Sequence, residues 1–78
     1  MNGETMLRVA NVVDEATMES VRDVLDRLDI DYEHVRSEPG DERFPQTAYF
    51  YVPDDSADDV ERALVDLAQA HGFDAEVL

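Results

Sequence analysis

The chain has 78 residues, with 20 acids, six arginines, no lysine and a formal net charge of -14. That length holds one domain with a modest core, and the lack of cysteine excludes disulfides, thiolate catalysis and cysteine-ligated zinc. No apolar run approaches the roughly 20 residues of a membrane-spanning helix, and residues 1–5 lack the basic and apolar regions of a signal peptide, so the sequence predicts a cytoplasmic protein without membrane insertion.

Residues 6–13 (MLRVANVV) are apolar and rich in β-branched side chains, which predicts a first strand. Asp14 offers a helix N-cap, and Glu15 favours the positive end of the dipole behind it. Met18, Val21, Val24, Leu25 and Leu28 then recur at helical spacing. Residues 30–36 (IDYEHVR) alternate as a second strand. Ser37-Glu38-Pro39-Gly40-Asp41 suits a type II turn, with Pro second and a positive-φ Gly third.

Residues 47–52 (TAYFYV) have the strongest strand composition in the chain. Pro53 ends that strand, and Asp54-Asp55-Ser56 opens a second helix. Ser56 and Asp59 have the spacing of a capping box, with Asp replacing the usual Glu. Ala57, Val60, Leu64, Leu67 and His71 mark one helical stripe, and Gly72 stands where a left-handed C-terminal residue belongs. Residues 73–78 (FDAEVL) form the last predicted strand. The order β-α-β-β-α-β predicts an α+β, ferredoxin-like sandwich over residues 1–78, with a four-stranded antiparallel sheet and two helices on one face.

Tyr49-Phe50-Tyr51-Val52-Pro53, Val60-Glu61 and Leu64-Val65-Asp66-Leu67 resemble the soluble N-terminal domain of an uncharacterised archaeal hydrophobic membrane-protein family. The first strand and Ile30-Asp31-Tyr32 are similar too, although these 78 residues include no membrane-spanning stretch of the kind that family carries. The same segments resemble small ligand-sensing ferredoxin-like domains, the ACT domains among them. The resemblance implies a regulatory or sensory module and supplies no ligand-binding motif.

Twelve aspartates and eight glutamates on solvent faces repel one another at low ionic strength. The Debye length falls from about 10 Å at 0.1 M salt to about 3 Å at 1 M. The acid excess and the absence of lysine therefore predict a halophile protein whose folding depends on salt.

In this fold one sheet face is open, so strand parity decides what it displays. Ala48, Phe50 and Val52 suit the core, which puts Thr47, Tyr49 and Tyr51 outside. Leu7 and Val9 likewise put Arg8 and Ala10 outside. The second strand has two solutions. If Val35 faces the helices, Tyr32, His34 and Arg36 join the open face; if Ile30 and Tyr32 are core, His34 and Arg36 turn inward.

The first solution gathers Arg8, Tyr32, His34, Arg36, Tyr49 and Tyr51 into one cationic-aromatic patch. Such a patch suits self-association or a protein partner, and also a small anionic ligand. Stacked aromatics resemble the RNA-recognition platform, but a net charge of -14 opposes nucleic acid. His34 and His71 lack metal-ligand spacing, and His71 suits a helix C-terminus. Asp54, Asp55, Asp58 and Asp59 suit a helix N-terminus better than a calcium loop. There is no glycine-rich phosphate loop or nucleophile motif. The sequence thus predicts a non-enzymatic regulatory or interaction module without metal or cofactor, forming a homodimer through the open face or sensing an anionic metabolite.

Overall fold

The computed structural model describes residues 3–40 and 43–78. The elements are β1 (Glu4–Val12), α1 (Glu15–Arg27), β2 (Glu33–Glu38), β3 (Gln46–Pro53), a 3-10 turn (Asp54–Ser56), α2 (Ala57–His71) and β4 (Asp74–Val77). The four strands form one sheet in the order β2-β3-β1-β4, and every neighbouring pair is antiparallel. This is the ferredoxin-like arrangement that the element order predicts.

The core forms where the apolar parities of β1 and β3 meet the helix stripes. Leu7, Val9, Val12, Ala48, Phe50 and Val52 are buried in one cluster with Met18, Val21 and Leu25 of α1 and Val60 and Leu64 of α2. Both helices therefore cover the same sheet face. Full burial of each large aliphatic side chain stabilises the fold by roughly 2 kcal/mol.

Two bulges adjust strand parity. In β1 the register shifts between Val9, opposite Ala48, and Val12, opposite Gln46. Asn11 takes a left-handed φ of 63° within that shift, a conformation asparagine tolerates better than most residues. The extra residue returns Val12 to the buried side. In β2 His34 pairs with Phe50 and Arg36 with Tyr49, leaving Val35 as the extra residue.

The helix ends follow sequence logic unevenly. Asp14 caps α1 as expected: one carboxylate oxygen accepts from Thr17 N–H at 2.9 Å and from Thr17 Oγ1 at 2.7 Å. Gly72 closes α2 in the left-handed region at φ 75°, its N–H bonding to the Ala68 carbonyl. The expected Ser56–Asp59 capping box does not form. Ser56 closes the 3-10 turn at φ -106° and ψ -3°, and its side chain makes no capping bond.

The expected second strand also moves. It spans Glu33–Glu38, so Ile30 and Tyr32 precede it and pack against the core from outside the sheet. The hairpin between β2 and β3 exists, but Gly40 lacks the positive φ a type II turn requires. Asp41 of that expected turn lies outside the described residues. The buried Gln46 side chain organises the connection instead, donating to the carbonyls of Gly40 at 3.0 Å and Arg43 at 3.1 Å.

Candidate interaction face

The pairing register places Met6, Arg8 and Ala10 of β1 on the face away from the helices, beside Thr47, Tyr49 and Tyr51 of β3. Glu33, Arg36 and Glu38 of β2 share that face through their pairing with Tyr51, Tyr49 and Thr47. Asp74 and Glu76 of β4 extend it beyond Ala10 and Arg8. The central parities of β1 and β3 therefore agree with the alternation in the sequence.

Tyr49 organises the middle of this face. It stands between Arg8 on β1 and Arg36 on β2. The Arg36 guanidinium lies 4.9 Å from the centre of the Tyr49 ring, a cation–π contact in which the ring's negative face meets the charge. Arg8 turns the other way and forms an ion pair with Glu76 at 2.7 Å. Both side chains of that pair are about half exposed, at 43% and 51%. Water screening holds such a pair to roughly 0–1 kcal/mol of stability. The bond uses one terminal guanidinium nitrogen of Arg8, while its buried Nε has no hydrogen-bond partner.

Tyr32 and His34 do not join this patch. The Tyr32 ring meets Phe50 edge-on, with centroids 6.1 Å apart, and its hydroxyl donates to Asp26 of α1 at 2.9 Å. Loss of hydration raises the Tyr32 phenol above its ordinary value, and the Asp26 contact raises it further. His34 stacks on Phe50 with centroids 4.8 Å apart. Its Nδ1 lies 3.2 Å from the Arg22 guanidinium, and its Nε2 lies 2.8 Å from Ser37 Oγ. Arginine can only donate, so Nδ1 accepts and the Nε2 proton is directed to Ser37.

The bulge at Val35 separates His34 from the open face. It lets His34 face the helices while Arg36 faces outward, a combination that unbroken alternation forbids. Val35 itself takes the unpaired position and is 38% exposed. The patch is consequently Arg8, Arg36, Tyr49 and Tyr51. Its charge is also less one-sided than the sequence suggests. Glu33, Glu38, Asp74 and Glu76 share the face with the two arginines, and composition alone could not place them there.

His71 is exposed in the last turn of α2. Among the described residues, no three His, Cys, Asp or Glu side chains are grouped so as to hold a metal ion. Within the same residues, no helix is long and apolar enough to cross a membrane.

No protein-family model matches the chain, and no curated protein sequence does. Among solved structures it is similar to the ligand-free regulatory subunit of aspartate kinase from Thermus thermophilus. The TM-score is 0.77 at 20% sequence identity, covering 99% of this chain and 53% of that one. The chain thus spans about half the length of that subunit. At this identity the likeness establishes the shared fold.

Proposed function

We propose that the chain is a small non-catalytic regulatory or interaction module that forms a homodimer through its open sheet face. The observation that supports this most directly is Tyr49, held under Arg36 at the centre of a face that neither helix covers. Tyr51 and Met6, paired across β3 and β1, continue the contact surface. Tyrosine and arginine are the side chains that dominate protein interfaces.

Mixed charge favours a second copy as the occupant. A twofold interface apposes the same patch on both subunits, and this patch carries its own arginines and its own carboxylates. The face measures roughly 20 Å by 25 Å from ordinary strand spacing and rise. Two such faces bury about 1,000 Å², near the lower bound for a specific interface. The dimer is therefore weak and sensitive to conditions.

Each copy carries a net charge of -14, so association tightens as salt screens the repulsion. The acidic, lysine-free composition supports a halophile origin and a salt-rich interior as the setting. The regulatory role of the similar Thermus thermophilus subunit supports the regulatory reading.

Sedimentation equilibrium from 0.1 M to about 3 M KCl tests the proposal, the range being set by the Debye length. The wild type should shift toward dimer with salt, and Tyr49→Ala should remain monomeric while folded. A wild-type monomer throughout overturns the reading.

The unpartnered Nε of Arg8 supports a second reading, in which Arg8 and Arg36 bind a small anionic metabolite. The two stand about 10 Å apart, two strand spacings, and four carboxylates share their face. The geometry therefore favours the dimer. Anion binding would weaken with salt and disappear in Arg8→Ala, opposite to the salt response of the dimer.

A further inference from the structure

β4 is flanked by two depressions, one on each side of the sheet. On the helix side, Val65, Ala68 and Gln69 of α2 face Phe73 and Ala75 across a shallow groove. Val65 is 43% exposed there. On the other side, Arg8, Ala10, Asp74 and Glu76 surround a second hollow, with Glu61 reaching it from α2.

β4 is also an edge strand, so one row of its backbone groups has no strand beside it. The Leu78 N–H bonds to the Met6 carbonyl, and rungs of an antiparallel ladder alternate. Asp74 and Glu76 therefore direct their backbone groups to β1, while Ala75 and Val77 direct theirs outward. The Glu61 carboxylate agrees with that orientation, accepting from the outward Val77 N–H at 3.4 Å.

We propose that the outer edge of β4 takes an extended segment of a partner protein in which apolar and basic residues alternate. An added strand binds through main-chain hydrogen bonds, and pockets for alternate side chains give it specificity. A segment residue opposite Ala75 exchanges both hydrogen bonds with it and points its side chain to the helix side. That side is the apolar groove of Val65, Ala68 and Phe73. The residues between point onto the side of Asp74 and Glu76; Arg8 already pairs with Glu76, so Asp74 and the Glu61 carboxylate are the groups that call for Arg or Lys. An incoming carbonyl replaces Glu61 on the Val77 N–H and releases that carboxylate toward the segment's basic side chains.

Charge argues against a second copy at this edge. Antiparallel self-pairing of β4 sets its acids against the same acids of the other copy, and like charges opposite one another destabilise a ladder. This chain has six arginines and no lysine against 20 acids, so the complementary segment belongs to a different protein.

A short synthetic peptide alternating valine and arginine tests the edge, with binding followed by calorimetry and by amide exchange at Ala75. The parent peptide should bind and slow Ala75 exchange. N-methylation of its valines, whose N–H groups meet β4, should weaken binding about tenfold or more. N-methylation of its arginines, whose N–H groups face solvent, should leave binding nearly unchanged. Ala75→Pro removes only an outward N–H, which an edge position tolerates, and should abolish the interaction. Absence of binding by the parent peptide overturns the proposal. Equal binding of both methylated peptides also overturns it, since attraction is then charge alone, as does concentration-dependent self-pairing through β4.

Discussion

The side-chain amide of Asn11 donates to the carbonyl of Gly72 at 3.1 Å, joining two residues that both sit in the left-handed region, at φ 63° and 75°. One ends the regular part of β1 and the other ends α2. The bond ties the bulge that buries Val12 to the residue that closes the second helix.

Replacing Asn11 separates conformation from bonding. Asn11→Gly keeps the left-handed backbone and loses the hydrogen bond, at a cost of about 1 kcal/mol including the glycine's chain entropy. Asn11→Ala adds the left-handed penalty, bringing the cost to about 2 kcal/mol. Urea midpoints in high salt should rank wild type above Gly above Ala; an alanine variant as stable as the glycine variant contradicts the account.

Acid should expose the role of Asp14. The Thr17 hydroxyl bond, then the Thr17 backbone bond, hold its carboxyl below the ordinary aspartate value, and His71 adds a smaller attraction. A carboxyl so depressed stabilises the fold above the unfolded-state value of about 3.9. That contribution is lost as pH falls through the lower folded-state value. Asparagine caps a helix equally well without titrating. Asp14→Asn should therefore retain more of its neutral-pH stability below about pH 4 than the wild type does. Parallel acid limbs for the two proteins would contradict this.

Alkaline titration tests the surroundings of Tyr32. Desolvation and the Asp26 bond raise the Tyr32 phenol, so its neutral form is favoured in the folded state. The stabilisation is complete below the unfolded-state value of about 10. It is lost as pH rises through the higher folded-state value. Absorbance at the phenolate band should show a step above the ordinary tyrosine value that disappears in Tyr32→Phe; its persistence in that variant would contradict the account.

Phe50 connects the core to β2, since both Tyr32 and His34 lie against its ring. Phe50→Ala removes that platform and leaves a cavity, costing about 3–5 kcal/mol. A domain of this length has about 4–12 kcal/mol in total, so the variant should lose a large share of its stability, read as a much lower urea midpoint. Phe50→Leu should cost about 1.5 kcal/mol and shift the His34 ring resonances by removing the stacked aromatic. Unchanged His34 resonances would contradict the stacking.

Legibility in the sequence depended on whether alternation ran unbroken. Tyr49, Phe50, Tyr51 and Val52 alternate through a regular strand, so their faces could be read directly. Residues 32–36 do not read that way, because alternation allows one parity and the Val35 bulge supplies two. Nothing in that segment resembles the usual glycine of a bulge. The Arg8–Glu76 pair was equally hidden, since it joins residues 68 positions apart through the β1–β4 register. Local signals at helix ends worked where the geometry was ordinary, at Asp14 and Gly72. They failed at Ser56, where a 3-10 turn moves the hydroxyl out of capping position.

Thr5 and Leu78 meet across the outer ladder, the threonine hydroxyl donating to the Leu78 carbonyl at 3.0 Å. The two ends of the described chain therefore leave the sheet side by side. Tension applied through them pulls β4 from β1 as a zipper opens, loading one rung at a time instead of the whole ladder in shear. Under stretching, the fold should yield first at β4 and at low force, while β2, β3 and the Phe50 core remain assembled.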